Sequence, residues 1–281
     1  MSADVRQPVV EGTFYPADRE RLVATLDDFV GPSPGRSTPS LVAPVGLMAP
    51  HAGYVYSGRT AAAGYRAVAA LGRPNTIVIL GANHTGLGPI LCVDDRSAWS
   101  SPLGLAAVDL DLVERLIDGG IAATRAPFDR EHSIEVHAPF LQHIWGSEIK
   151  IVPLLVQPTD EQRLIDAARL LTECLGKRHS VLFIASSDLT HYEADEIARS
   201  NDRRVIDAVL GGDVGAFLSL FQRERHSVCG IGAIALLMAL SQTYSLDDIR
   251  LVDYSTSGDT TGDRSAVVGY ASVAFTRRED G

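Results

Sequence analysis

Cysteine is scarce in this chain: Cys92, Cys174 and Cys229 stand far apart in 281 residues, with no CxxC pair. That excludes a disulfide framework and fits free thiols in a reducing compartment. Positive charge is also short, with 25 Lys and Arg against 35 Asp and Glu. The net charge of −10 argues against a general binder of nucleic acid or anionic membrane. Long apolar runs are missing; the most apolar, Ile231 to Leu240, is about half of a membrane span. Asp4, Arg6, Glu11 and Asp18 leave no place for the apolar core of a signal peptide. The P-loop pattern GxxxxGK[ST], the zinc helices HExxH and HxxEH, and internal repeats are absent as well. These absences lead us to expect a cytoplasmic protein.

What is present is a core-forming composition, 46% hydrophobic and 21% charged. Apolar runs at Val45–Ala49, Thr76–Leu80, Ile149–Val156 and Ser180–Ser186 read as strands, Thr76–Leu80 as one buried on both faces. Ile90–Val93, Leu251–Tyr254 and Ala266–Phe275 are further strand candidates, and Pro153 counts against a central place for its strand. Caps and helical spacing predict helices behind Asp18, over Arg59–Leu71 capped by Ser57, and over Asp109–Ile117 closed by Gly119. Others are expected over 131–146, behind a Thr159/Gln162 capping box to Leu175, over Asp195–Leu210, behind Asp213 and over Ala233–Leu240. The Pro-rich stretch 31–40 reads as a surface loop, because the residues before it are too few for a domain. Strands alternating with helices predict an α/β fold: a single domain over residues 1–281. Its central, mostly parallel mixed sheet is flanked by helices, and the last strand is antiparallel at an edge.

Three of the buried runs stop at polar residues. His51 follows Val45–Ala49 and Pro50, His84 follows Thr76–Leu80, and Asp188 and His191 follow Ser180–Ser186. In a parallel sheet such strand ends share the edge where ligands bind. Cys229 precedes an apolar helix, whose N–H groups and dipole favour a thiolate. Two imidazoles and a thiolate suffice to hold Fe(II), Cu(I) or Zn with an open position, and suit Mg or Ca poorly. His191 beside Asp188 is placed to move a proton near neutral pH. Each residue also has an ordinary reading: His51 bonding a loop, Cys229 as a small buried hydrophobe, Asp188 as a helix cap. In Glu131–His137, His132 reads as pocket-lining, whereas His137 and His143 read as structural. Ser255–Asp263 is either a substrate contact or a solvated turn.

Taken in order, several pieces of the chain resemble the Memo family, of the type called protein B of the AmmeMemoRadiSam system. They are Gly12-Thr-Phe-Tyr-Pro16, Ala49-Pro-His-Ala-Gly-Tyr-Val-Tyr-Ser-Gly58, Gly81-Ala-Asn-His84 and Glu131-His-Ser-Ile-Glu-Val-His137. Ser186-Ser-Asp-Leu-Thr-His-Tyr192, Cys229-Gly230 and Tyr254-Ser-Thr-Ser-Gly258 complete the match, which spans most of the chain. The resemblance implies a fold similar to class III extradiol dioxygenases, whose non-haem Fe(II) is held by two His and one Glu. It implies His51 and His84 as metal ligands, with Cys229 where the dioxygenase has its Glu. Asp188 and His191 would lie beside the metal, His191 as acid/base, and Phe14, Tyr15 and Tyr56 would line the pocket mouth. A thiolate beside Fe(II) and O2 invites oxidation at sulfur, so ring cleavage does not carry over with the fold. The family implies Fe(II) first, with Cu or Zn as other metals, and a redox role on a small or peptide-borne substrate. Its eukaryotic members are linked to motility signalling and phosphopeptide recognition. Its microbial members go together with an AMMECR-type protein and a radical SAM enzyme. The alternative reading is a non-catalytic module that binds a peptide or protein in the same pocket. A zinc hydrolase ranks third, since no HExxH helix accompanies the ligands.

Overall fold

Strands that are apolar at nearly every position need a sheet covered on both faces. The computed structural model describes residues 4–32, 39–146, 148–223 and 227–278, and these strands form the middle of its sheet. In chain order the strands are β1 (Val5–Arg6), β2 (Val45–Ala49), β3 (Thr76–Ala82), β4 (Leu91–Val93), β5 (Ala98–Ser101) and β6 (Gly104–Val108). They continue with β7 (Ala122–Ala123), β8 (Lys150–Val156), β9 (Val181–Ser186), β10 (His191–Glu193), β11 (Asp248–Thr256) and β12 (Val267–Thr276). The helices are α1 (Arg19–Val30), α2 (Tyr54–Ala69), α3 (Leu110–Asp118), α4 (Ala138–Trp145) and α5 (Glu161–Leu175). Then follow α6 (Asp195–Leu210), α7 (Val214–Arg223), α8 (Ile231–Tyr244) and α9 (Ser257–Thr261).

Bonded neighbours run β1-β5-β6-β8-β3-β9-β2-β12-β10, with β11 on β12 and β4 joining β7 to β8. The block β6-β8-β3-β9-β2 is parallel throughout. β12 returns antiparallel against β2, but it does not form the expected edge, because β10 and β11 also bond to it. β12 is buried along almost its whole length, and β11, half exposed, takes the outer place. Pro153 does sit in a central strand. Its carbonyl accepts from Asp94 N at 3.2 Å, so its missing N–H faces the break between the β6 ladder at Lys150–Ile151 and the β4 ladder at Leu154–Val156.

Alternation along β2 assigns the two helical layers. A Cβ on Gly46 would stand 2.8 Å from Leu237 of α8, while the next residue, Leu47, reaches Gly64 of α2 on the other face. Both helices pack this close because glycine stands at the crossing. α8 is apolar all round, as a helix covered by α5 and α7 on its outer side must be.

Several local expectations shift. α2 starts at Tyr54 rather than Arg59, and the Ser57 hydroxyl bonds back to Ala52 O (3.0 Å) from inside the first turn. α5 is capped by Asp160, which accepts from Arg163 N at 3.0 Å, and not by the Thr159/Gln162 box. Residues 131–134 are not helical; a 3-10 turn at Glu135–His137 leads into α4, with Pro139 in the first turn where its missing N–H costs nothing. The Ser255–Asp263 segment is no open loop: it ends β11 and forms α9, opened by a Thr256/Asp259 capping box. Residues 33–38 of the expected 31–40 surface loop lie outside the described residues. No helix among the described residues is long and apolar enough to cross a membrane.

Candidate metal centre

β3, β9 and β2 are adjacent and parallel, so their carboxyl ends open on one edge of the sheet. His84, Asp188 and His51 each stand two residues beyond the end of their strand. Cys229 reaches the same edge on the turn before α8, where its N–H meets Asp188 O (3.3 Å) and Gly230 N meets Ser187 Oγ (2.9 Å). One ligand atom each of His51, His84 and Cys229 lies within 4.8 Å of the other two. Three strand ends and the turn before α8 thus bring together residues from four separate stretches of chain.

The proton positions on His51 follow from a buried hydrogen-bond chain. Ser186 Oγ lies 2.6 Å from Ser133 O, 2.7 Å from His51 Nδ1 and 2.8 Å from His137 Nε2. A carbonyl only accepts, so the single hydroxyl proton goes to Ser133, and both imidazoles must donate to Oγ. His137 therefore carries its proton on Nε2 and accepts from Tyr65 OH at Nδ1 (2.7 Å). His51 carries its proton on Nδ1, which leaves a bare Nε2. Among the described residues that nitrogen is buried without a hydrogen-bond partner, and Asp188 Oδ2 is 4.0 Å away. Burial holds the His51 and His137 pKa values below the usual histidine range, His137 at about 3, which agrees with two neutral rings.

The other imidazoles are oriented in the same manner. His84 Nδ1 lies 2.8 Å from a Glu131 carboxylate that also accepts from the N–H groups of His84, His132 and Ser133. Burial opposes charge on both partners, but their mutual bond and attraction win. Glu131 is held below and His84 above its ordinary value. His191 Nδ1 faces two carbonyls, Leu189 O at 2.7 Å and Ser227 O at 2.8 Å, so it carries the proton. Its Nε2 points at Cys229 Sγ, 3.5 Å away. His132 stacks on His84 with ring centres 4.6 Å apart, and burial with the charge of His84 lowers its pKa to about 4.

The expected thiolate at Cys229 does not follow from its helix alone. Burial, with the Asp188 carboxylate beside it, pushes the thiol up to about 12, which outweighs the nearby backbone donors. Asp188 is itself pushed up to about 6 by burial, although His51 N (2.8 Å) and Ala52 N (3.3 Å) donate to it. Asp188 is thus bonded to the His51–Ala52 loop and is no helix cap.

A model of the family described as "Memo-like protein" matches residues 6–274. The chain belongs to the Memo family. Curated relatives named MEMO1 family protein agree over nearly full length. One from Ignicoccus hospitalis is 38% identical, covering 96% of this chain and 98% of its own. One from Thermotoga neapolitana is 38% identical over 96% and 99%, and one from Methanosarcina acetivorans 39% over 96% and 98%. Among solved structures, an uncharacterized protein of Escherichia coli K12 is similar with a TM-score of 0.52. It is 15% identical and covers 82% of this chain and 99% of its own, a likeness of fold alone.

In this Memo-family chain a cavity of about 760 Å³ opens over the centre. Its lining includes His51, His84, Asp188 and Cys229, with Phe14, Tyr56, His132 and His191 beside them. Tyr15 does not line it. That ring is 2% exposed, and its hydroxyl donates to buried Glu135 (2.7 Å), which holds it in the core. His143 is structural, bonding Gly31 O at 3.0 Å. Sequence reading gave no role to Ser186 and Glu131, the residues that orient His51 and His84. The only signal was Glu131's place beside a histidine, since its contact to His84 spans 47 residues. Ser257, Thr261 and Asp263 do reach the cavity, from α9 and the residues after it.

Proposed function

We propose that this Memo-family protein is a mononuclear metalloprotein, with His51, His84 and Cys229 as ligands, acting in redox chemistry on a small or peptide-borne substrate. The buried, unpartnered His51 Nε2 carries this reading. Leaving such a nitrogen without a partner costs about 1–3 kcal/mol, a cost that a metal bond removes. The donor set fits: two imidazoles whose remaining N–H is bonded to protein, one of them to a carboxylate, and a soft sulfur suit Fe(II), Cu or Zn. Iron or copper held there supplies one-electron chemistry and a Lewis-acidic open position. The protein's own contribution is proton handling. His191 Nε2, 3.5 Å from Cys229 Sγ, is the acceptor for the thiol proton when sulfur becomes a ligand. Asp188 holds the His51 loop through two N–H groups, and its other oxygen faces the His51 ring. Phe14, Tyr56 and His132 give the substrate an aromatic wall.

The test is elemental analysis of anaerobically prepared protein and of its His51→Ala and Cys229→Ala variants. Near-stoichiometric iron or copper that falls in both variants is the expected result. Folded protein without metal in all three, after reloading, would overturn the reading. One observation favours the binding-module alternative: Tyr192 is 79% exposed at the cavity mouth and held at φ 60°, a backbone region costly for a tyrosine. On that alternative Cys229→Ala retains partner binding.

A further inference from the structure

The chain's 25 basic residues include only two lysines, Lys150 and Lys177, and the fold brings both to one cavity. That cavity, about 450 Å³, lies at the amino ends of β8, β3 and β9, the far end of the sheet from His51. Lys150 opens β8, Thr76 opens β3, and Lys177, Arg178 and His179 form the turn from α5 into β9.

The charges lining it do not cancel. Buried Asp109 is bound by Arg178, whose guanidinium also lies 3.3 Å from Thr76 Oγ1, and Glu148 faces Arg73 at 3.8 Å. Among the described residues neither lysine ammonium forms an ion pair or a side-chain hydrogen bond. A chain of net charge −10 repels anions on average, so two uncompensated ammoniums in one concave polar site stand against the general field. Lysine is a compact, strongly hydrated cation that grips phosphate as a point charge, while the fixed guanidinium of Arg178 keeps donors free beyond its bond to Asp109. The volume is that of a small-molecule site. Among the described residues no aromatic ring but the His179 imidazole lines it, so none of them stacks on a base.

We propose that this cavity binds a small, non-aromatic, multivalent oxyanion of the phosphate-ester class, at a site separate from the metal centre. The probe is fructose 1,6-bisphosphate, titrated calorimetrically into the metal-loaded full chain and into its Lys150→Gln, Lys177→Gln, double and Cys229→Ala variants. We expect one ligand per chain, a Kd at least tenfold weaker in the double variant, and an unchanged Kd in Cys229→Ala. Both lysines are exposed, so matching thermal melts of the unliganded variants establish that the fold is intact. Equal binding by the double variant, loss of binding in Cys229→Ala, or no binding at all would each overturn the proposal. Binding of an oligoglutamate peptide without binding of the bisphosphate would overturn it too, in favour of an acidic protein partner.

Discussion

The Ser186 hydroxyl, 2.7 Å from His51 Nδ1, decides which nitrogen of His51 faces the cavity. Because Ser133 O takes the only hydroxyl proton, the serine receives from both His51 and His137 and passes a fixed tautomer to the centre. Ser186→Ala removes that acceptor and leaves two buried N–H groups without a partner. We expect metal affinity to fall by about 10–100-fold and stability by about 1–3 kcal/mol. Nitrogen NMR of the His51 ring distinguishes orientation from mere packing: the Nδ1–H signal should lose its dominance in the metal-free variant. Unchanged tautomer and affinity would remove Ser186 from its orienting role.

Glu131 accepts four N–H bonds with its charge, one of them from His84 Nδ1. Glu131→Gln keeps the shape but turns one acceptor oxygen into a donor facing other donors. Chemical denaturation should register a loss of about 2 kcal/mol, in the range for hydrogen bonds to charged groups. Competition with a chelator should register weaker metal binding.

Gly230 is where the Cys229 turn meets β9. A Cβ there would stand 2.3 Å from the backbone oxygen of Ser186 and 2.6 Å from Ser187 Cβ, contacts that no rotamer change relieves. Gly230→Ala should therefore shift Cys229 away from His51 and His84. We expect loss of bound metal from protein whose far-ultraviolet circular dichroism is unchanged; full metal content would show that the turn has slack.

Asp195 ties the start of α6 to the start of α9. Arg199 Nε (2.9 Å) and Thr256 Oγ1 (2.6 Å) donate to it, with Arg264 alongside, and these bonds hold its pKa at about 2. An unfolded aspartate titrates near 3.9. The folded value is the lower one, so the stabilisation is complete above about pH 4 and is lost as pH falls through about 2. The stability gap between the native protein and Asp195→Asn should hold steady from pH 7 to 5 and close below pH 2. A gap that widens on acidification would contradict this assignment.

The strands and the four corners of the centre were legible because they are local facts. A run such as Thr76–Leu80 is apolar whichever way the chain turns, and His51, His84 and Asp188 stand at set distances beyond such runs. Helix starts were less legible: Asp160 and Thr159 are both good caps, and only the completed helix shows which one meets Arg163 N. The place of β12 was misjudged as an edge, because a single strand's pattern states that it is buried but not by which neighbours.

By its amino acids alone the chain determined an α/β sheet, its parallel centre, and the histidines, aspartate and cysteine gathered at one edge. Hydrophobic periodicity and the chemistry of strand ends act over a few residues and can be read in order. Only the tertiary structure decided which nitrogen of His51, His137 and His191 carries the proton, the orienting roles of Ser186 and Glu131, and the inward turn of Tyr15. It also decided that burial beside Asp188 overrides the helix terminus at Cys229. Those outcomes depend on donors, acceptors and charges brought within 3 to 4 Å from distant stretches of chain, and such contacts leave no periodic mark in sequence.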